Sequence, residues 1–397
     1  MRFKSAIHLF LFIFLNKLFV SQQIFVPNER PEDAGLNFTQ LGNKYGQTVI
    51  EHNVVTEDGY ILKLFNIPGN RSVPVLLTHG ILDSADTFLL RGHTSLVVYL
   101  RKFGYDVWVA SVRGARYSRR HVTLDPDKDS EFWNFSVHEI GYYDLPALID
   151  FVLSWNAVDK LSAAGHSQGN TIYYVLGATR PEYNDKVNIM IALGPISYLN
   201  HYKPPIHTII KLGPLIDHVL TTFNQEELFG DNSIYRTEIN KFCTPYEVGY
   251  ALCGEAFFSL AGYDVEEFEP AMFYVVIGHF PTSTSKKVAK HYLQIANNGD
   301  FVYYDYGQEK NLKLYNSETP PPYNLSAVTM NVALFVGKND RVNPIENVRR
   351  LNKALPNVAQ FKIMDREKFN HMDYIWGRHM YEYLFPYILE MLERFNS

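Results

Sequence analysis

The chain has few cysteines and no excess of basic residues, and both shortages exclude whole classes of protein. Among its 397 residues only two are cysteines, Cys243 and Cys253. A framework held by several disulfides is therefore excluded, and two cysteines with no paired histidine nearby give no zinc pattern. The 37 Lys and Arg residues are outnumbered by 42 Asp and Glu, so the net charge is −5. Without a basic excess to neutralise phosphates, nucleic acid is not an expected partner.

Long apolar runs are equally scarce, since only the amino terminus carries one. There Arg2 and Lys4 precede a mostly apolar run over residues 6–15. A basic start followed by about ten apolar residues is typical of a secretory signal, because a membrane span needs about twenty. We predict a signal peptide over residues 1–21, with a retained signal anchor as the alternative. No transmembrane span is expected once the signal is removed.

Two further features agree with passage through the secretory pathway. Asn-x-Ser/Thr triplets, the acceptors of N-linked sugars, begin at Asn37, Asn70, Asn134 and Asn324. In an oxidising compartment Cys243 and Cys253 can close a disulfide, with two free buried thiols as the alternative. The prediction is a secreted or lysosomal glycoprotein, because both fates share the same signal and sugars.

Apolar runs of strand length alternate with stretches of helical spacing along most of the chain. The runs are residues 73–78, 105–111, 160–164, 187–193 and 332–336. Their continuous apolar character is typical of strands covered on both faces. The alternation predicts an α/β fold with a mostly parallel sheet and helices on both sides. It weakens over residues 197–323 and then resumes, which indicates an insertion between two parts of one core, 22–196 and 324–397.

The sharpest motif is Gly165-His166-Ser167-Gln168-Gly169. A strand-like run precedes it and a helix-like run follows, which is the context that G-x-S-x-G needs to form a nucleophile elbow. Such a tight turn lifts the serine hydroxyl clear of the sheet and places it at a helix N-terminus, where developing negative charge is favoured. Ser167 is therefore the candidate nucleophile, with a serine in an ordinary tight turn as the alternative.

A serine hydroxyl needs a base, and the elbow fold expects the chain order serine, acid, histidine. Asp340 lies just past the carboxyl end of the run 332–336, where ligand chemistry gathers in open α/β sheets. His371 follows a later strand-like run and a short loop, ahead of a helix predicted over 377–394. We assign Asp340 as the acid and His371 as the base. The alternative is that Asp340 only caps its loop. Asp365 is the competing acid, but it stands too close to His371 in sequence to fold back easily.

Ester chemistry at such a serine also needs two backbone N–H donors for the developing oxyanion. One is expected from Gln168, directly after the nucleophile. The other is expected from Ile81 in the loop that follows the 73–78 run, where Gly80 would let the backbone approach closely. We expect His79, which opens this loop, to form a hydrogen bond within it rather than to act as an acid or base.

Taken in order, these motifs resemble those of the acid lipase family, which includes lysosomal acid lipase and gastric and lingual lipases. The similar segments run from about residue 53 to the carboxyl terminus. Besides the elbow they are Val55 to Leu62, Thr78 to Leu82, Arg113-Gly114 with Ser118 to His121, Tyr143 to Ala147, Gly337 to Asp340 and Asn370 to Trp376. Several ordered matches at similar distances are far more specific than any one of them.

The resemblance implies an α/β-hydrolase core with an inserted, mainly helical cap and lid over residues 197–323. It implies nucleophile, acid and base roles for Ser167, Asp340 and His371, oxyanion donors at Ile81 and Gln168, and a substrate class of triacylglycerols and cholesteryl esters. The expected reaction requires no metal or cofactor. The two cysteines resemble the family's pair in the lid region. The cap residues match those of the family poorly, so the resemblance predicts the reaction better than it predicts the substrate.

These observations favour a serine lipase that acts through an acyl-enzyme on neutral lipid esters at an oil–water or membrane interface. Two other functions stay open on the sequence. A thioesterase or peptidase on the same core would carry the same elbow and triad. A non-enzymatic lipid carrier would be expected to have a broken triad, whereas all three members are present here.

Overall fold

The computed structural model describes residues 31–202, 204–230, 243 and 249–396, so the predicted signal peptide lies outside it. The strands are β1 (Ile50–Val55), β2 (Ile61–Ile67), β3 (Val75–Thr78), β4 (Val107–Ser111), β5 (Leu161–His166), β6 (Val187–Leu193), β7 (Glu227–Leu228), β8 (Thr284–Ser285), β9 (Val332–Val336) and β10 (Val358–Ile363). The α-helices are α1 (Phe38–Lys44), α2 (Leu96–Lys102), α3 (Val137–Glu139), α4 (Leu145–Asn156), α5 (Gln168–Thr179), α6 (Ile206–Thr222), α7 (Glu255–Ala261), α8 (Pro270–His279), α9 (Lys286–Asn298), α10 (Gln308–Tyr315), α11 (Ile345–Ala354), α12 (Asp373–Trp376), α13 (Met380–Tyr383) and α14 (Phe385–Phe395). No helix in the described ranges is both long and apolar enough to cross a bilayer.

Within the described part of the chain, eight strands form one sheet in the order β1-β2-β4-β3-β5-β6-β9-β10. β2 pairs antiparallel with both β1 and β4, and every other neighbouring pair is parallel. The predicted α/β fold with a mostly parallel sheet is therefore confirmed. The β1–β2 pair was not among the predicted strands, because β1 at the edge is largely exposed and lacks a continuous apolar run.

The sheet is covered on both faces, which explains why its central strands are apolar throughout. In β6, Ile189 and Ile191 belong to one hydrophobic cluster, whereas Met190 and Ala192 belong to the other. Successive side chains of a strand point to opposite faces, so a strand with two covered faces has no polar alternation. The continuous runs in the sequence are the direct result.

The carboxy-terminal helix predicted over residues 377–394 is divided in the structure. It forms α13 and α14, with Leu384 between them at φ −115°. Pro386 lies in the first turn of α14, where its missing N–H costs nothing. Within a continuous helix the same proline would remove one backbone hydrogen bond, which favours a break before this position. The prediction of a single helix was therefore wrong.

The chain between β6 and β9 carries helices α6 to α10 and the short antiparallel pair β7–β8. The described part of this segment is mainly helical, as the resemblance implies. Cys243 and Cys253 form a disulfide within it, so that prediction is confirmed. The cap boundaries at residues 197 and 323 stay a prediction.

Ion pairs fasten the residues after α7 to the core. Asp264, which is buried, accepts two hydrogen bonds from the Arg366 guanidinium at 2.8 and 2.9 Å. Arg91 donates to a Glu269 carboxylate oxygen and to the Trp376 carbonyl oxygen, both at 2.6 Å. Since bidentate guanidinium contacts fix geometry as well as charge, the insertion has a defined place against the core at this point.

A buried arginine joins three segments of the core. The Arg113 guanidinium donates to Asp144 at 2.7 Å and to both Asp58 oxygens at 2.6 and 2.8 Å. Its backbone N–H also donates to Asp144 at 2.8 Å, and the guanidinium carbon lies 4.0 Å from the centre of the Tyr60 ring. Asp144 is fully buried, so its charge depends on Arg113 for compensation.

We expect Arg113→Met to lower the free energy of unfolding by about 3–5 kcal/mol, because it leaves the Asp144 carboxylate buried and unpaired. Urea denaturation followed by circular dichroism would measure the loss. Lys313→Met is the matched control, since Lys313 pairs with Glu309 on the exposed surface of α10 and should cost under about 1 kcal/mol. Equal losses in both variants would contradict the role given to Arg113.

Candidate active site

Ser167 occupies a strained turn between β5 and α5. Its backbone has φ 54° and ψ −119°, and its N–H donates to the Leu193 carbonyl oxygen at 3.0 Å. A side chain at Gly165 would overlap the Gly169 carbonyl, and one at Gly169 would overlap the Thr78 carbonyl. A positive φ at a non-glycine residue costs of order 1–3 kcal/mol and persists only when its surroundings enforce it. The turn is the elbow that the motif predicted.

The structure brings Ser167, His371 and Asp340 into one hydrogen-bonded chain. His371 Nε2 lies 3.0 Å from Ser167 Oγ, and His371 Nδ1 lies 2.8 Å from Asp340 Oδ2. The carboxylate can only accept, so Nδ1 carries the proton and Nε2 is left to accept from the serine hydroxyl. All three residues are buried. This arrangement can remove a proton from Ser167 as its oxygen attacks an electrophile.

Asp340 and its competitor Asp365 lie in different environments. Asp340 Oδ1 accepts the Asn343 backbone N–H at 2.8 Å, which leaves Oδ2 for the imidazole. Asp365 instead pairs with Lys362 at 2.8 Å, and its side chain is 78% exposed. The structure therefore places Asp340, and not Asp365, against His371.

The loop after β3 lies against the elbow. A Cβ built on Gly80 would stand 3.3 Å from the Ser167 Cβ, so Ile81 and Gln168 lie on the two segments that flank the serine. The expected hydrogen bond of His79 within this loop is confirmed, since its Nδ1–H donates to the Gly80 carbonyl at 2.8 Å. That carbonyl and the Ile81 N–H belong to one planar peptide, so holding the first also orients the second.

His79 is held in its neutral form by its second partner. Its Nε2 accepts the Val112 backbone N–H at 3.2 Å, and a proton on Nε2 would abolish this bond. Burial lowers the pKa of His79 to about 4, in agreement with that geometry. The loop that carries Ile81 therefore keeps its hydrogen bonds in moderately acidic solution.

The sequence matches the family described as "alpha/beta hydrolase fold" over residues 73–377 and the "partial alpha/beta-hydrolase lipase region" over residues 38–92. It is 40% identical to Lipase 1 of Drosophila melanogaster, over 91% of this chain and 80% of that protein. It is 32% identical to gastric triacylglycerol lipase of Mus musculus, over 91% and 92%.

The chain belongs to the acid lipase-like family of α/β hydrolases. It is accordingly a carboxylic ester hydrolase. A solved thermophilic esterase from Thermogutta terrifontis shares the fold with a TM-score of 0.51 at 14% identity, covering 88% of this chain and 100% of that one. That likeness concerns the fold alone.

The insertion of this lipase-like chain also supports the site, and no sequence motif had indicated it. The Ala261 carbonyl at the end of α7 accepts the backbone N–H of His371 at 3.2 Å and that of Arg341 at 3.3 Å. The Gly262 carbonyl accepts the Asn370 side-chain amide at 3.1 Å. One stretch of the insertion thus holds the loops that carry Asp340 and His371.

The four predicted glycosylation residues all lie at the surface. Each of Asn37, Asn70, Asn134 and Asn324 is exposed. Asn37 caps α1 through its side-chain oxygen, which accepts the Gln40 N–H at 2.9 Å. The amide nitrogen that would carry a sugar is not used in this bond. Glycosylation stays a prediction for all four.

We expect Asp340→Asn to reduce kcat on a soluble chromogenic ester by about four orders of magnitude, because an amide favours the wrong imidazole tautomer and cannot stabilise the imidazolium. Asp365→Asn is the control and should leave kcat near that of the parent, since Asp365 is exposed and pairs with Lys362 rather than with His371. Initial-rate kinetics would decide. A large loss in Asp365→Asn, with little change in Asp340→Asn, would refute the assignment.

Proposed function

We propose that this protein is a serine lipase of the secretory pathway, which hydrolyses neutral lipid esters such as triacylglycerol and cholesteryl ester through an acyl-enzyme. The observation that carries the proposal is the buried chain from Asp340 through His371 to Ser167 Oγ. It stands beside the two backbone segments that contain Ile81 and Gln168. Family membership supplies the class of bond that is cleaved.

Acylation begins when Ser167 Oγ attacks the ester carbonyl carbon and His371 Nε2 takes the hydroxyl proton. Negative charge then develops on the carbonyl oxygen, and the Ile81 and Gln168 N–H groups stabilise it. Asp340 stabilises the positive charge on the imidazolium. When the tetrahedral intermediate collapses, His371 gives its proton to the leaving alcohol, and the acyl group stays on Ser167.

Deacylation repeats these steps with water as the nucleophile. His371 takes a proton from the water as its oxygen attacks the acyl carbon, and the same two amides hold the oxyanion. Release of the fatty acid returns the proton to Ser167 Oγ. Because the cycle needs a neutral imidazole at its start, the free base form of His371 is the competent one.

The lipid substrate class rests on relatives and on an apolar helix. Gastric triacylglycerol lipase is named for its substrate, and we transfer that class to this chain. Helix α6 supports the transfer, because one side of it presents large apolar side chains to solvent. These are Ile209, Leu212, Leu215, Ile216 and Val219, and the exposed Phe223 directly follows the helix. Its opposite side, with Ile210 and Gly213 buried, packs on α9.

An exposed apolar stripe of this kind is typical of a surface that meets another apolar phase. A soluble helix normally presents polar residues to water, and an apolar face binds well to a lipid surface. We propose that α6 contacts the lipid that contains the substrate. This would bring an insoluble ester to the enzyme without an independent carrier.

Three features support the compartment. They are the amino-terminal signal-like run, the four exposed acceptor asparagines and the Cys243–Cys253 disulfide. Disulfides persist in oxidising compartments and are rare in the cytosol. We propose passage through the secretory pathway to the lysosome or the extracellular space.

The principal experiment measures fatty-acid release from emulsified triacylglycerol and cholesteryl ester between about pH 4 and about pH 8. We expect release by the parent protein and none by Ser167→Ala, because the hydroxyl that forms the acyl-enzyme is missing. Circular dichroism would show that the variant is folded. Hydrolysis of a small soluble ester alone would discard the lipase proposal, and lipid binding without any hydrolysis would indicate a carrier.

The interface proposal has its own test. Leu215 is 60% exposed on α6, and Leu314 is 55% exposed on α10. We expect Leu215→Glu to weaken binding to a triacylglycerol emulsion by about tenfold or more, because it replaces about 1.5–3 kcal/mol of apolar burial by a charge. Flotation would measure binding. Leu314→Glu is the matched control, and kcat on a soluble ester should not change in either. Equal binding by both variants would exclude α6 as the lipid contact.

A further inference from the structure

His166, the residue before the nucleophile, has no part in the mechanism above, yet it is buried between the elements of the site. Its Nε2 lies 2.8 Å from the backbone carbonyl oxygen of His371. A carbonyl oxygen only accepts, so Nε2 carries the proton and donates it. The side chain next to the nucleophile in sequence is thus bonded to the backbone of the base.

The other side of the His166 ring faces the loop that carries Ile81. A Cβ built on Gly80 would stand 3.2 Å from His166 Nδ1, so the ring separates this loop from His371. Among the described residues Nδ1 has no hydrogen-bond partner and is fully buried. A second proton there would create a buried N–H without an acceptor, which costs about 1–3 kcal/mol. The geometry therefore holds the ring neutral.

Electrostatics agree with this geometry. Burial, together with the neighbouring His371, lowers the pKa of His166 to about 3. The two ring centres are 5.0 Å apart, so a charged His166 would oppose the imidazolium that forms on His371 during catalysis. A neutral donor can hold the base without this penalty. A lysine or arginine at the same place could not.

We propose that His166 is a positioning residue, which fixes the distance between the base and the nucleophile by bonding the His371 carbonyl to the elbow turn. The inference rests on the proposed function, because it takes His371 as the base for Ser167. The Ala261 carbonyl holds the His371 N–H from the insertion side, and His166 holds the His371 C=O from the elbow side. The base is thereby fixed through both of its backbone polar groups.

The test compares His166→Gln with His166→Leu on a soluble chromogenic ester, so that lipid binding is not involved. A glutamine amide can donate from about the position of Nε2 and does not titrate, whereas leucine fills the space without a donor. We expect His166→Leu to lower kcat by about 100-fold with KM within about threefold, since a misplaced base costs about that much. His166→Gln should stay within about fivefold of the parent.

His291 in α9 provides a matched control. It is also buried, its Nε2 lies 2.9 Å from the Val302 carbonyl oxygen, and its Nδ1 has no partner among the described residues. Burial lowers its pKa to about 4. His291→Leu should lower the melting temperature about as much as His166→Leu does, while kcat stays within about twofold.

Three results would overturn the inference. The first is a His166→Leu variant with kcat within about threefold of the parent. The second is an equal loss in His166→Gln and His166→Leu, which would assign the effect to packing alone. The third applies if His166→Leu does not fold. A folded His166→Gln variant whose kcat is lower by about 100-fold would then refute the donor role. Failure of the proposed function is separate, because it would appear as parent activity that survives Ser167→Ala or as a parent protein that releases no fatty acid from emulsified lipid.

Discussion

The tight turn at Ser167 is the constraint on which the rest of the site depends. Its positive φ is tolerated only because β5 and α5 are fixed on either side, and because Gly165 and Gly169 admit close backbone contacts. Once the hydroxyl stands above the carboxyl edge of the sheet, the acid and base must come from loops at that same edge. The parallel order β5-β6-β9-β10 supplies them, since parallel strands end together.

The loops that carry Asp340 and His371 are held by the insertion as well as by the core. The Ala261 carbonyl accepts N–H groups from both Arg341 and His371, and the nearby Asp264–Arg366 pair fastens the same stretch. The insertion therefore contributes directly to the geometry of the candidate site. A change in the packing of this stretch would move the loops that carry Asp340 and His371, and a misplacement of about 1 Å between reacting groups is enough to change a rate strongly.

Several motifs that carry the family resemblance perform structural work. Asp58, Tyr60, Arg113 and Asp144 come from three separate motifs and meet at one buried guanidinium. None of them contacts Ser167 or His371 in the described hydrogen bonds. Their arrangement fixes the loop after β4 against the start of α4, and its charge balance explains why these residue types occur together. The motifs of the family resemblance thus reflect the framework of the site as much as its reaction.

The sequence by itself determined the sheet strands with continuous apolar runs, the elbow at Ser167, and the choice of Asp340 and His371 from chain order. These are local signals, because a strand covered on both faces and a glycine-flanked turn each leave a pattern in adjacent residues. Tertiary structure alone decided the contacts of Ala261 with the base loop, the junction at Arg113 and the bond from His166 to the His371 carbonyl. They join residues far apart in the chain. In two of the three the acceptor is a backbone carbonyl, a group that every residue possesses, so no side-chain pattern could indicate it.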